Sequence, residues 1–518
     1  MGTCLRSKLT AFCPDWRSLD FYIVLLGLAF CRAWIVLCLS AVAVTTLVSH
    51  SNWMFLLAGS VAAAGVAVAA RRAATQARFE VRLRGVTGAL TVLCAVAMPI
   101  ALACGQPIML AVLVVVGGAA SSFLQVLWGN EYARRPVPFA LACYPATAVV
   151  IALLIALVVG ERGFLAFFVF PVMSFVLLLV ETSRIDKERP RDEPSGAAAA
   201  PVAPAAPVVP AERDRPALSR KSIAQLMVSI GVFSFLCRVF DSLPGEGVID
   251  PFVVFGGSSV FALAVVGILF LLFAFLCGDR FEPVFAYRLS LPLMALGMAI
   301  VSLFFYDHWA LSVLLIGLGY ELFDIVTWIL FVDLAQRRED AGGRYRVFGQ
   351  GVAATLCGMG LGYLVGGELH ARLLAESVQM STVGILCVTV LVVTAFLVIP
   401  EGTIAQVVGR RGRLRGGERD GEEGEGPAAG AADVGAPAVP PLEKRCEALA
   451  IERHLTPREG EVLVLLARGR TLAIVMRDLQ IAKGTAQTHI ENVYAKLGVH
   501  KQQELIDLVE GCELKDEA

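Results

Sequence analysis

The chain has 518 residues, of which 57% are hydrophobic and 17% charged, and its mean hydropathy is +0.71. Soluble domains carry roughly a quarter charged residues, so the composition excludes an ordinary soluble chain and points to a membrane protein. A formal net charge of -1 excludes a strong overall field as a means of attracting partners and shifts the question to where the charges sit.

Residues 1–20 form a short N-terminal segment with Arg6, Lys8 and Arg17. The apolar run behind it, 21–48, is too long for a signal peptide's apolar region and lacks a convincing cleavage site, so it reads as a retained first span. Further runs long enough to cross a bilayer lie at 53–70, 86–104, 107–128, 137–159 and 164–180, completing a first membrane half over 21–180. An Ala/Pro-rich linker, 181–221, comes next. With Pro201, Pro204, Pro207 and Pro210 among alanines, it is too poor in large apolar residues to fold. Spans resume at 223–240, 252–276, 289–305, 309–332, 351–369 and 383–399, a second half over 222–400. The total is about twelve spans, six plus six, and an even number puts both termini on one side.

Basic residues set the orientation. Arg71, Arg72, Arg78, Arg82 and Arg84 share one loop, Arg134 and Arg135 the next on that side, with 184–221, 280–288, 337–346 and 410–419 after them. The opposite loops hold almost only Arg162 and Arg372. The positive-inside rule therefore predicts cytoplasmic termini.

Cys31-Arg32 in the first span and Cys237-Arg238 in the seventh each come after a similar apolar run, so the two halves read as a repeat. Six plus six spans, a long middle loop and similar leading helices resemble the major facilitator superfamily, whose halves are parallel repeats. The superfamily's Gly/Asp/Arg-rich loop signature is absent from residues 71–78, and Gly278-Asp279-Arg280-Phe281 is at most a remnant of it. The resemblance thus implies the fold more than the transport mechanism.

Arg32, Arg238, Glu321 and Asp324 stand out as intramembrane charges, with Asp333 a further candidate. A charge at mid-span costs about 2.5–3.5 kcal/mol on insertion scales, so each should face a cavity or a partner. Glu321 and Asp324, at i and i+3, share a face of the tenth span. Two readings stand side by side: a central pocket that binds a small polar or anionic ligand, or ion pairs that hold the halves together. The glycines of the eleventh span, Gly358, Gly360, Gly362, Gly366 and Gly367, read as a close helix-packing surface.

The sequence has 13 Cys and 6 His but no Cys-x-x-Cys pair or Cys/His cluster, and most cysteines, such as Cys94, Cys143, Cys357 and Cys387, read as small apolar packers. No phosphate-binding loop, nucleophile elbow or kinase signature is present, so neither an enzyme nor a cofactor is expected. A second linker, 401–443, runs from basic (Arg410, Arg411, Arg413, Arg415) to acidic (Glu418, Asp420, Glu422, Glu423, Glu425) to Ala/Pro-rich, and reads as a solvated tether with a reach of about 35 Å.

The last stretch, 444–518, changes character to a small soluble domain. Thr456 suits a helix cap and Pro457 a first turn, and Val462, Leu463, Leu465, Leu466 and Ala467 keep helical spacing until Gly469. A second helix is expected after Thr471 on the stripe Leu472, Val475, Met476 and Leu479, then a turn at 480–482 and a third helix from about Lys483 to Lys496. Leu455, Thr456, Arg458, Glu459, Val462, Leu463, Ala467, Gly469, Thr485, His489, Lys496, Leu497, Gly498 and Val499 resemble the LuxR/FixJ-type helix-turn-helix. That resemblance implies a four-helix domain binding DNA as a homodimer with its third helix in the major groove. It places Gln487, Thr488 and Glu491 toward base edges, Gln487 being suited to bidentate pairing with adenine. It also places Thr485 and Lys496 near phosphates. His489 reads as a locally packed, hydrogen-bonded side chain. The chain departs from the family at Leu472 to Met476 and at Ala482, where a polar cap worth about 1 kcal/mol is missing.

The whole is expected to be all-α: a polytopic membrane bundle and, after it, a four-helix soluble domain. The function this organisation implies is a membrane-embedded one-component transcription regulator of the bacterial inner membrane, touching lipid, DNA and a small-molecule ligand. Its alternative is a facilitator-type secondary transporter with a regulatory or protein-binding tail.

Overall fold

A computed structural model describes residues 16–40, 51–72, 76–158, 163–188, 220–243, 257–277, 283–304, 309–338, 340–397, 442–468, 475–476, 479, 483–499 and 501–510. The chain divides into two compact units, 1–422 and 423–518, and every regular element among the described residues is a helix.

The first unit contains α1 (Leu19–Ser40), α2 (Ser51–Arg72), α3 (Gln76–Ala103), α4 (Pro107–Ala133), α5 (Val137–Val158) and α6 (Gly163–Glu188). The second half supplies α7 (Arg220–Asp241), α8 (Gly257–Cys277), α9 (Pro283–Phe304), α10 (Trp309–Gln336), α11 (Ala341–Leu374) and α12 (Met380–Leu397). Ten of these twelve are long and apolar enough to cross a membrane, and the described apolar parts of α8 and α12 are shorter. The exposed large hydrophobics, such as Val61, Ile108, Leu157 and Leu303, form an outer surface that suits lipid and would be unfavourable in water. Several helices outrun their apolar cores. Thus α3 begins at Gln76 and α11 at Ala341, and the polar extension of α3 carries an i,i+4 pair, Arg84–Glu80 at 3.6 Å.

The halves pack alike. In the first, α1 lies on α5, α2 on α4, and α3 on α4 and α6; in the second, α7 lies on α11, α8 on α10, and α9 on α10 and α12. The halves meet through α2 against α11 and α5 against α8, a matched pair of interfaces. Gly358, Gly360, Gly362 and Gly366 of α11 do pack closely, and Gly367 faces open space: a Cβ on Gly358 would stand 2.1 Å from the Gly231 carbonyl of α7. On the α2–α4 contact, a Cβ on Gly118 would stand 2.0 Å from the Phe55 carbonyl, so only glycine permits that approach. Cys94, Cys143 and Cys387 are buried and unoxidised, consistent with packing roles.

The second unit contains α13 (Leu442–Glu452), α14 (Pro457–Ala467), α15 (Lys483–Leu497) and α16 (Gln502–Glu510) around its own core of Cys446, Leu449, Val462, Leu463, Leu466, Ala486, Val493, Leu497, Leu505 and Val509. α13 extends into the stretch expected to be tether. The expected second helix lies largely outside the described residues, although Val475 is fully buried in this core and Met476 and Leu479 pack against it. Its Leu472 and Ile474, the turn at 480–482, Arg470 and Arg477 are likewise outside them.

Candidate nucleic-acid interface and central membrane cluster

Two local devices fix α15 in place. The first is a capping box at α14: the Glu459 amide donates to Thr456 Oγ1 at 3.3 Å, and the Thr456 amide donates to Glu459 Oε2 at 2.8 Å. Lys496 of α15 reaches the same carboxylate, its Nζ 2.6 Å from Oε2, and also donates to the His454 carbonyl at 3.2 Å. Glu459 is only 4% exposed. The Lys496 hydrogen bond, then the Thr456 amide, hold its carboxyl down at about 2. The second device ends α15. Gly498 has φ +71°, and the Val499 amide donates back to the Tyr494 carbonyl at 3.1 Å, a Schellman closure that needs a left-handed residue. Arg458 adds a tie, pairing with Glu461 at 2.5 Å and donating to the Leu479 carbonyl at 3.2 Å.

So held, α15 buries Ala486, Val493 and Leu497 and turns Thr485, Gln487, Thr488 and Glu491 outward. Gln487 and Glu491 make no hydrogen bond among the described residues, so the Gln487 amide can both donate and accept. The Thr488 hydroxyl donates to the Gly484 carbonyl at 3.0 Å, which leaves its lone pairs and methyl group for a partner. Lys496 differs from the expectation. Its ammonium is committed within the domain, leaving a single N–H for a phosphate. His489 is half-buried as expected, but its Nδ1 is buried without a hydrogen-bond partner.

In the membrane unit, the intramembrane charges sort into two groups. Arg32 of α1 pairs with Asp324 of α10 at 2.8 Å, joining the two halves. Tyr144 of α5 donates to the same Asp324 oxygen at 2.6 Å and also bonds Arg32. Trp328 stacks on Tyr144 with ring centroids 4.9 Å apart. Arg238, by contrast, pairs with Asp241 one turn along its own helix α7, and its guanidinium lies over the Tyr320 ring. Glu321 is 7% exposed and its Oε2 has no hydrogen-bond partner among the described residues. Both arginines are therefore occupied, which counts against an anionic ligand; the pairing reading holds for Arg32–Asp324 and fails for Arg238. Sequence reasoning missed Tyr144, Trp328 and Asp241. Only Asp241, at i+3 from Arg238, carried a local signal.

At one end of the bundle a second polar set joins the halves. Arg344 of α11 donates to Asn130 Oδ1 of α4 at 3.2 Å, Gln336 donates to the Arg135 carbonyl, and Arg135 pairs with Glu181.

Residues 453–509 match the family model described as bacterial regulatory proteins, luxR family. Over 64 residues the chain is 39% identical to the uncharacterized response regulatory protein YgeK of Escherichia coli K12, a match covering 12% of this chain and 44% of that protein. The chain thus spans less than half of that relative's length. The membrane unit is similar to the crystal structure of the nucleoside transporter NupG, at 13% identity and a TM-score of 0.43 over 74% of this chain and 99% of that one. It is also similar to the E. coli fucose:proton symporter FucP, at 12% identity and a TM-score of 0.46 over 74% and 98%. The capping box, the Schellman turn and the outward face of α15 thus lie within the residues that match the luxR family model, in a chain with ten helices long and apolar enough to cross a membrane.

Proposed function

We propose that the protein is a membrane-embedded one-component transcription regulator. Its membrane unit responds to a small molecule or to the state of the membrane, and that response governs sequence-specific DNA binding by the C-terminal domain. The observation that carries this reading is the exposed row Thr485, Gln487, Thr488 and Glu491 on a luxR-type recognition helix, in a chain whose other unit is built for lipid. The distribution of arginines supports cytoplasmic termini in a bacterial inner membrane. The domain organisation we adopt is 1–20, 21–180, 181–221, 222–400, 401–443 and 444–518. If membrane units associate, tethering raises the effective concentration of two tails and favours a DNA-bound homodimer. In the bound state Gln487, Thr488 and Glu491 meet base edges, while Thr485 and the remaining N–H of Lys496 meet phosphates.

Chromatin immunoprecipitation of the full-length protein, beside Q487A and T488A, tests this. Discrete peaks that vanish in the variants support it. No enrichment in any of the three refutes it and favours a secondary transporter, a reading to which the buried Arg32–Asp324–Tyr144 cluster and Glu321 lend weight.

A further inference from the structure

The centre of the membrane unit is short of one positive charge. Arg32 is matched by Asp324 and Arg238 by Asp241, and Glu321 belongs to neither pair. It lies within electrostatic reach of all four groups, is 7% exposed and has an oxygen with no partner. Two guanidinium groups thus face three carboxylates. A buried carboxylate without a counter-charge is costly and otherwise takes up a proton, so the arrangement favours a guest that brings a positive charge.

We propose that this position takes the ammonium group of a monovalent organic cation with an aromatic or alkyl body. This rests on the proposed response of the membrane unit to a small molecule and gives that response a site. The chemistry of the neighbours selects the guest. Glu321, Asp324 and Trp328 lie at i, i+3 and i+7 of α10 and so share one face. Trp328 stacks on Tyr144, whose ring already receives the Arg32 guanidinium at 5.2 Å, and Tyr144 in turn lies within electrostatic reach of Glu321. With Tyr144 taken by Trp328 and Arg32, the aromatic surface left beside Glu321 for a cation or its apolar body is that of Trp328. Trp328 Nε1 is buried without a hydrogen-bond partner and can serve an acceptor on the guest. An anion finds both guanidinium groups taken. A metal ion finds too few donors: among the described residues no group of three or more His, Cys, Asp or Glu is placed to hold one.

The test uses the full-length protein in phospholipid nanodiscs, with 2-phenylethylammonium as probe and phenylacetate and 2-phenylethanol as size-matched anionic and neutral comparators. The midpoint of thermal unfolding should rise saturably with the ammonium alone. E321Q should weaken that response at least tenfold, while E321D, which keeps the charge, should retain the preference for the ammonium. An equal response to phenylacetate, an undiminished response in E321Q, or a loss of preference in E321D overturns the proposal. So does a midpoint that depends on pH through Glu321 with no ammonium effect, which would assign the site to a proton. DNA binding by the same preparation is read separately. If it persists while no ammonium binds, the ligand class falls and the regulator stands.

Discussion

Lys496→Met severs the tie between α15 and the cap of α14, and its effect can be worked from the structure. Glu459 would keep the Thr456 amide but lose the ammonium 2.6 Å away, leaving a 4% exposed carboxylate without a counter-charge. Breaking a fully buried pair costs about 3–5 kcal/mol. Here the lysine side chain is 37% exposed, and water screens the interaction, so the expected loss is about 1–2 kcal/mol at pH 7. The same contact gives a pH signature. Because the folded carboxyl titrates at about 2 against an ordinary 4.5, its contribution is fully present above 4.5 and disappears as pH falls toward 2. Urea unfolding of fragment 442–518, a unit with its own core, at pH 7, 4 and 2.5 reads both quantities. The wild type should lose stability across that window, and K496M should start lower and lose less. A wild type flat between pH 5 and 2.5, or a K496M midpoint unchanged at pH 7, refutes the reasoning.

Gln487→Ala should leave the unfolding midpoint of the same fragment unchanged, since its side chain is exposed. It should cost about 1–3 kcal/mol of operator affinity in fluorescence anisotropy, the value of one bidentate base contact. Gly498→Ala forces a Cβ into φ +71° and should lower the stability of the fragment by about 1 kcal/mol, with no clash to relieve because the site is open. In the membrane unit, Arg32→Gln and Asp324→Asn should each lower the unfolding midpoint of the detergent-solubilised chain. The double variant should lie closer to the wild type than the sum of the two, because each single change strands the other charge; simple additivity would show that the 2.8 Å pair is not coupled.

Much of the soluble domain was legible in its sequence because its markers act locally. Thr456 can cap only the helix that starts at Pro457, Glu459 sits at the third helical position where a capping box needs it, and Gly498 stands where the closing turn demands a positive φ. α13 was not legible. Its short amphipathic run adjoins an Ala/Pro-rich tether, and burial of Cys446 and Leu449 against α14 and α16 makes it a helix, a tertiary cause. In the membrane unit, hydropathy found the bilayer-crossing stretches and missed the helix ends, because apolarity reports the surroundings and not the backbone. That is why α3 starts at Gln76 and α11 at Ala341, about ten residues before their apolar runs. The central charges were visible one by one. Their partners were not, since Arg32 and Asp324 are 292 positions apart and only packing of the two halves decides which carboxylate an arginine meets.

The repeat bears on why Arg32 pairs across the halves while Arg238, its counterpart, does not. α4 and α10 end alike, with Glu131 before Arg134 and Arg135, and Asp333 before Arg337 and Arg338. Counting back nine residues from each acid reaches Ser122 in α4 and Asp324 in α10. In that register the position that carries Asp324 in the second half carries Ser122 in the first, a serine whose hydroxyl donates to the Ala119 carbonyl within its own helix. Arg238 accordingly turns to Asp241 on α7. A repeat that was purely structural would gain by keeping both cross-half pairs, since each offsets the cost of a buried charge. With one such pair made, the other absent and Glu321 Oε2 without a partner among the described residues, the polar ties between the halves near Glu321 are asymmetric although the helix packing is matched, which is the arrangement a unit needs if filling that position is to change how its halves sit.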